Sequence, residues 1–156
     1  MKIELKNIKY AAFASEETSC FEATVYVDGK KAGQASNDGR GGMTWVEPPA
    51  LRERIDEYGK TLPPLELGDG LRVDQDAETL IDGLLHDWLT ERDFKRLLKR
   101  VTIRVPTDPV GSFRTVSGKA GDAASLAFVA KNFPDAIILN NLPYDQALAI
   151  YKGVQS

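Results

Sequence analysis

CFEATVYVDGKKAGQAS, residues 20–36, alternates apolar and polar side chains along its first half and then turns on an Asp-Gly pair. Phe21, Ala23, Val25 and Val27 fall on one face, and Glu22, Thr24 and Tyr26 on the other. This is the period-two pattern of a strand with one buried side. Asp28-Gly29 accepts the positive φ angles of a type I′ turn, so residues 31–36 are expected to return as the second arm of a hairpin. Upstream, residues 1–10 read as a further strand. Ile3 and Leu5 share a face before Ile8 and Tyr10 shift phase, which predicts a bulge or bend near Asn7. The expectation is a three-stranded antiparallel meander.

Downstream, NDGRGG (residues 37–42) holds three glycines in six positions and reads as a loop. Pro48-Pro49 can open a short helix through LRERIDEY, with Gly59 just past its end. Residues 61–73, rich in proline and glycine, read as a connecting loop. From Asp76, a predicted N-cap, the positions Ala77, Leu80, Ile81, Leu84, Leu85 and Trp88 recur at helical spacing and predict one buried stripe against the sheet. Thr90 and Asp93 resemble a capping box and Leu89 and Phe94 a hydrophobic staple, so a second helix is expected to start there, burying Phe94, Leu97, Leu98 and Val101.

The last third alternates in type. It reads as strand VTIRV, a strand or hairpin near residues 112–116, a helix over 122–131, strand AIIL and a helix opened by Pro143. A right-handed βαβ unit is conceivable there, but the elements are too few for a doubly wound sheet. The expected fold is α+β: an N-terminal antiparallel β-meander packed with helices and a C-terminal alternating β/α segment, forming a single domain over residues 1–156.

A chain of 156 residues, 42% of them hydrophobic, can bury a sizeable core. Its formal charge of −3 argues against a protein whose main task is non-specific contact with nucleic acid or an anionic membrane. No stretch approaches the apolar length of a membrane span, and MKIELKNIKY lacks the apolar centre of a secretion signal. With one cysteine, Cys20, no intrachain disulfide can form, which fits a cytoplasmic, reducing setting.

Candidate chemistry is sparse. Cys20 and the lone His86 are the only sulfur and imidazole groups from which a catalytic relay or a zinc site could be built, too few for structural zinc. Asp69, Asp74 and Asp76 lie close in sequence but lack the alternation of a calcium loop. SGKAGD (residues 117–122) precedes a helix, yet Ala120 stands where a P-loop needs Ser or Thr. NDGRGG follows a strand without leading at once into a helix, so it is no dinucleotide fingerprint. No catalytic residue, metal ligand or cofactor is assigned on these grounds.

Charge is segregated: residues 66–93 carry nine acids against Arg72 and Arg92, whereas residues 95–104 carry five bases and no acid. Helix dipoles favour acids near helix starts and bases near helix ends, which accounts for much of this. A basic patch of Arg92, Lys95, Arg96, Lys99 and Arg100 remains a candidate phosphate contact. The segment Asn37, Asp38, Gly39, Arg40, Gly41, Gly42 and on to Trp45 is the preferred candidate protein-binding surface, because glycines leave backbone N–H groups uncovered while Arg and Trp are anchoring residue types.

Residues 15–42, SEETSCFEATVYVDGKKAGQASNDGRGG, resemble a segment of small bacterial and phage proteins with no established activity. That resemblance implies a prokaryotic or phage setting. Its sharpest functional expectation is a phage or mobile-element accessory protein that inhibits a host defence protein. The reading is therefore a non-enzymatic protein-binding module. Nucleic-acid binding through the basic patch is the alternative, and an enzyme acting on a phosphate-bearing substrate is the third.

Overall fold

A computed structural model describes residues 1–153. The fold is α+β, opening with an antiparallel sheet. The chain forms two compact units, Met1–Asp87 and a second that starts at Trp88.

In the first unit, β1 (Ile3–Tyr10), β2 (Phe21–Val27), β3 (Lys30–Asn37) and β4 (Trp45–Glu47) form one sheet in sequence order. The meander thus has four strands where three were expected: WVE, too short to show a period, pairs with β3 through Ser36 and Trp45, Ala35 and Val46, and Gln34 and Glu47. The register of β1 on β2 shifts between Lys6 and Lys9, and Asn7 has φ +52°, so the phase slip in the sequence is a bulge. Asp28 and Gly29 both take positive φ, +49° and +78°, as a type I′ turn demands. Phe21, Ala23, Val25, Val27, Ala35 and Val46 are buried on the inner face.

Helix α1 (Pro49–Gly59) buries Leu51 and Ile55. Gly59 is its last residue, not the one beyond it. A Cβ there would come within 2.1 Å of the Gln75 carbonyl oxygen, so glycine serves close packing of the incoming chain instead of a left-handed cap. The segment read as a plain loop holds a small hairpin, β5 (Leu65–Glu66) with β6 (Arg72–Val73).

Helix α2 is continuous over Ala77–Leu97, which corrects the expectation of a new helix near Thr90. No proline or glycine interrupts the chain there, and Asp93 pairs with Arg92 at 2.9 Å and Arg96 at 3.8 Å instead of capping a new start. At the true start, the Thr79 amide donates to the Asp76 carboxylate at 2.8 Å while the Thr79 hydroxyl accepts from the Asp76 amide at 2.9 Å. This is a reciprocal cap. The division between the two units falls inside this helix.

In the second unit, β7 (Val101–Arg104) lies between β8 (Arg114–Val116) and β9 (Ile137–Ile138), antiparallel to both. No parallel βαβ crossover exists among the described residues. Val101, expected on a helix face, opens β7 and is buried with Ile103 and Val129. Helix α3 (Ala123–Asn132) is capped by Asp122, which accepts from the Ser125 amide at 2.9 Å. Helix α4 (Tyr144–Tyr151) covers a second cluster around Phe94 and Leu139.

Gly29 faces open space, so a side chain there meets no neighbour and pays only for its left-handed backbone. Gly29→Val is expected to cost about 1–2 kcal/mol in urea denaturation.

Candidate functional site

The loop between β3 and β4 is built around a buried amide. Asn37 Oδ1 accepts from the Thr18 hydroxyl at 2.7 Å and from the Gly39 amide at 2.8 Å. Its Nδ2 donates to the Gly42 carbonyl at 2.9 Å and to Thr44 Oγ1 at 3.3 Å. The amides of Glu16, Glu17 and Thr18 all donate to the Gly39 carbonyl at 2.9–3.3 Å. The Arg40 amide donates to Asp38 and the Gly41 amide to Thr18.

The expectation of N–H groups left uncovered by the glycines is therefore corrected at Gly39 and Gly41, whose amides bond Asn37 and Thr18. Gly39, at φ +85°, is buried, and a Cβ on it would stand 2.1 Å from the Ala14 carbonyl oxygen. The loop glycines thus serve a tight corner. Asp38, Arg40, Gly41 and Gly42 remain exposed.

Trp45 is 62% exposed although it sits in a regular strand. Its neighbours Ser36, Glu22 and Lys9 form one row across the outer face, each opposite the next, with Lys9 and Glu22 paired at 3.5 Å. Beside the indole lies a cleft of about 590 Å³ lined by Tyr10, Cys20, Glu22, Ser36 and Met43. Met43 is 48% exposed, and Phe13, on the 3-10 turn Ala12–Ala14, is 93% exposed. Sequence reasoning missed both. For Met43 the signal was its place two residues before Trp45, and Phe13 lay in a run without periodicity.

Thr44 links this loop to both helices of its unit. Fully buried, it donates its amide to Glu78 at 2.9 Å and its hydroxyl to Asp82 at 2.7 Å, and accepts from Arg52 on its carbonyl at 2.9 Å. Asp82 is exposed as a residue, yet its carboxyl is desolvated where it meets Thr44. That desolvation holds its pKa above the ordinary 3.8, against the lowering effect of the Thr44 hydrogen bond and with help from Glu78 and Asp76.

The five bases of the candidate nucleic-acid patch all lie in the second unit. Lys95 pairs with Glu91 at 3.4 Å, Arg96 with Asp93, and Arg92 with Asp93 while its guanidinium covers the Trp88 ring. Lys99 and Arg100 are exposed on the turn after α2 and have no ion-pair partner among the described residues. Their turn is held by Asn140, which donates to the carbonyls of Leu98 and Arg100 and accepts from the Thr102 amide.

In SGKAGD, the Ala120 amide donates to Lys99, the Asp122 amide to Lys119, and the Ser125 hydroxyl to Asp122 and the Ser117 carbonyl. A carboxylate thus occupies the helix start that a phosphate would need, and its bonds to Ser125 hold its pKa below the ordinary value. Cys20 lines the Trp45 cleft, whereas His86 lines another cavity with Leu80 and Leu84. Asp76 caps α2, and Asp69, at φ +46°, forms part of the turn between β5 and β6. Among the described residues, no group of three or more His, Cys, Asp or Glu is placed to hold a metal ion, and no helix is long and apolar enough to cross a membrane.

The chain matches no known protein family, and no curated protein or solved structure is similar to it.

Two measurements test this anatomy. Gly39→Ala should cost about 2–4 kcal/mol, adding left-handed strain to a steric clash. Gly42→Ala, which meets nothing, should stay within about 0.5 kcal/mol. Second, the folded chain holds the Asp82 proton more tightly than the unfolded chain does, so Asp82 makes stability fall as pH rises upward from 3.8. Asp82→Asn keeps an acceptor for Thr44 and removes that slope. Melting temperatures from pH 4 to 7 should show the variant gaining on the parent as pH rises.

Proposed function

We propose that the protein is a non-enzymatic binding module that recognises another protein through the outer face of its meander, with Trp45 as anchor. The observation that carries this reading is the 62% exposure of an indole between two buried residues, Thr44, which Asn37 and Asp82 hold, and Val46, which stands opposite Ala35. Exposed aromatic surface of this size is costly to leave in water, and a rigidly presented Trp loses little entropy on docking. Arg40 and Asp38 supply a polar rim, and Met43 extends the apolar centre.

The narrower form, a phage or mobile-element accessory protein that inhibits a host defence protein in the cytoplasm, draws its support from the resemblance of residues 15–42 alone. The nucleic-acid alternative is supported by Lys99 and Arg100, the two bases of its patch without an acid beside them. Three of its five bases are engaged by acids of their own helix, which weakens it.

Immobilised protein and its Trp45→Ala variant, passed over lysate of the source cell, test the reading. The parent should retain a discrete protein that the variant loses by about tenfold, with a melting temperature unchanged because the indole supports little of the core. Equal retention by both would overturn it. Retention of nucleic acid, lost on Lys99→Glu with Arg100→Glu and falling steeply with salt, would put the alternative first.

A further inference from the structure

The hairpin of β5 and β6 carries an apolar face that the first unit leaves in water. Leu65 stands opposite Val73, and the Leu67 amide bonds the Leu71 carbonyl at 2.9 Å, so these two pairs succeed one another up the hairpin. Because side chains alternate along a strand, Leu65, Leu67, Leu71 and Val73 all project to one side, and Glu66 and Arg72, paired at 2.9 Å, project to the other. The four apolar residues are 37%, 62%, 59% and 40% exposed. Polar residues would have served an inert loop better on both faces.

Leu65 also lines a cavity of about 540 Å³ together with Ile3, Tyr58, Leu62, Leu80 and Leu84. Hairpin and cavity therefore meet at Leu65. The balance of charge around them is acidic: Asp69 stands in the hairpin turn, Asp74 follows β6 and Asp87 lines the cavity, whereas Arg72 is engaged by Glu66 and Lys60 by Glu57. Asp69 and Asp74, exposed beside the hairpin, have no ion-pair partner among the described residues.

We infer that this surface receives a cationic amphipathic segment of a partner protein, its apolar side chains entering the cavity and lying on Leu67 and Leu71, its Lys or Arg residues meeting the acidic surround. Charge selects this occupant. A second copy would bring the same acidic surround against itself, and an anionic membrane would be repelled. The surface shares no residue with the one proposed around Trp45, so either can fail alone.

A fluorescent amphipathic helix built from leucine and lysine is the probe, with a leucine and glutamate counterpart of the same apolar spacing, read by anisotropy at physiological salt. The parent should bind the cationic peptide and not the anionic one. Leu67→Glu with Leu71→Glu should weaken binding by about tenfold, although it adds negative charge. Both positions are exposed, and an unchanged melting temperature confirms the fold, while Trp45→Ala should leave this binding intact. Binding that survives or strengthens in the double variant is bulk electrostatics and overturns the inference. So does absence of binding, and so does concentration-dependent dimerisation of the parent that the double variant abolishes, which would assign the surface to a second copy.

Discussion

The side chain of Asn37 makes four hydrogen bonds, the full capacity of a carboxamide, and does so while 6% exposed. The segment between β1 and β2 and the loop between β3 and β4 both hang from it. Through Thr18 and the Gly39 carbonyl it fixes the segment between β1 and β2, and through Gly42 and Thr44 it fixes the path into β4. Thr44 passes the constraint on, holding Glu78 and Asp82 of α2 and Arg52 of α1. A buried polar group pays for its desolvation only when every partner is present, so such a network admits one loop geometry and excludes others. The exposure of Trp45 follows: with Val46 turned inward and Thr44 buried, strand alternation sends the residue between them to solvent.

The second unit solves a similar problem with Asn140, whose amide closes the turn from α2 into β7. The sequence changes from acidic to basic just before that turn, between Asp93 and Lys95 inside α2. Lys95 and Arg96 sit in the last turn of α2, where unsatisfied carbonyls favour positive charge, and they also meet Glu91 and Asp93 one turn back. Helix stability therefore explains Lys95 and Arg96, whereas Lys99 and Arg100 in the turn and Arg104 in β7 lie beyond its reach.

The parts legible in the sequence were those governed by local rules. Alternation exposed β2, Asp28-Gly29 the hairpin, the phase slip the bulge, and Asp76 and Asp122 the helix starts. What stayed hidden depended on partners distant in the chain. A three-residue strand such as WVE has no period to read, and its place beside β3 is set by hydrogen bonds to Asn37 and α2. The supposed break near Thr90 failed for the opposite reason: capping residues act as caps only where the helix ends, and inside a helix Asp93 finds Arg96 instead. Around the candidate site, the glycines of NDGRGG were visible but their work was not, because a bonded N–H and an uncovered one look alike in sequence. In the β5–β6 hairpin, the pattern Leu-x-Leu-Gly-Asp-Gly-Leu-x-Val carried a turn with matching apolar positions on both sides, masked by the prolines before it.

The two exposed apolar surfaces of the first unit differ in how they are supported, and that difference shapes what each can bind. Trp45 stands on a four-stranded sheet over a buried core, so its position is set before any partner arrives and little ordering cost remains. The β5–β6 hairpin has two strands and no buried residue, and an isolated pair of that kind is marginal in water. Its apolar face gains most from an occupant that covers both strands at once, since the same contact removes Leu67 and Leu71 from water and consolidates the hairpin. Binding of the segment proposed for it would thus be coupled to local ordering, which lowers affinity for a given area but lets the surface adjust to what it receives. A rigid anchor suits one defined partner surface. A hairpin completed by its ligand suits a short segment recognised by spacing and charge.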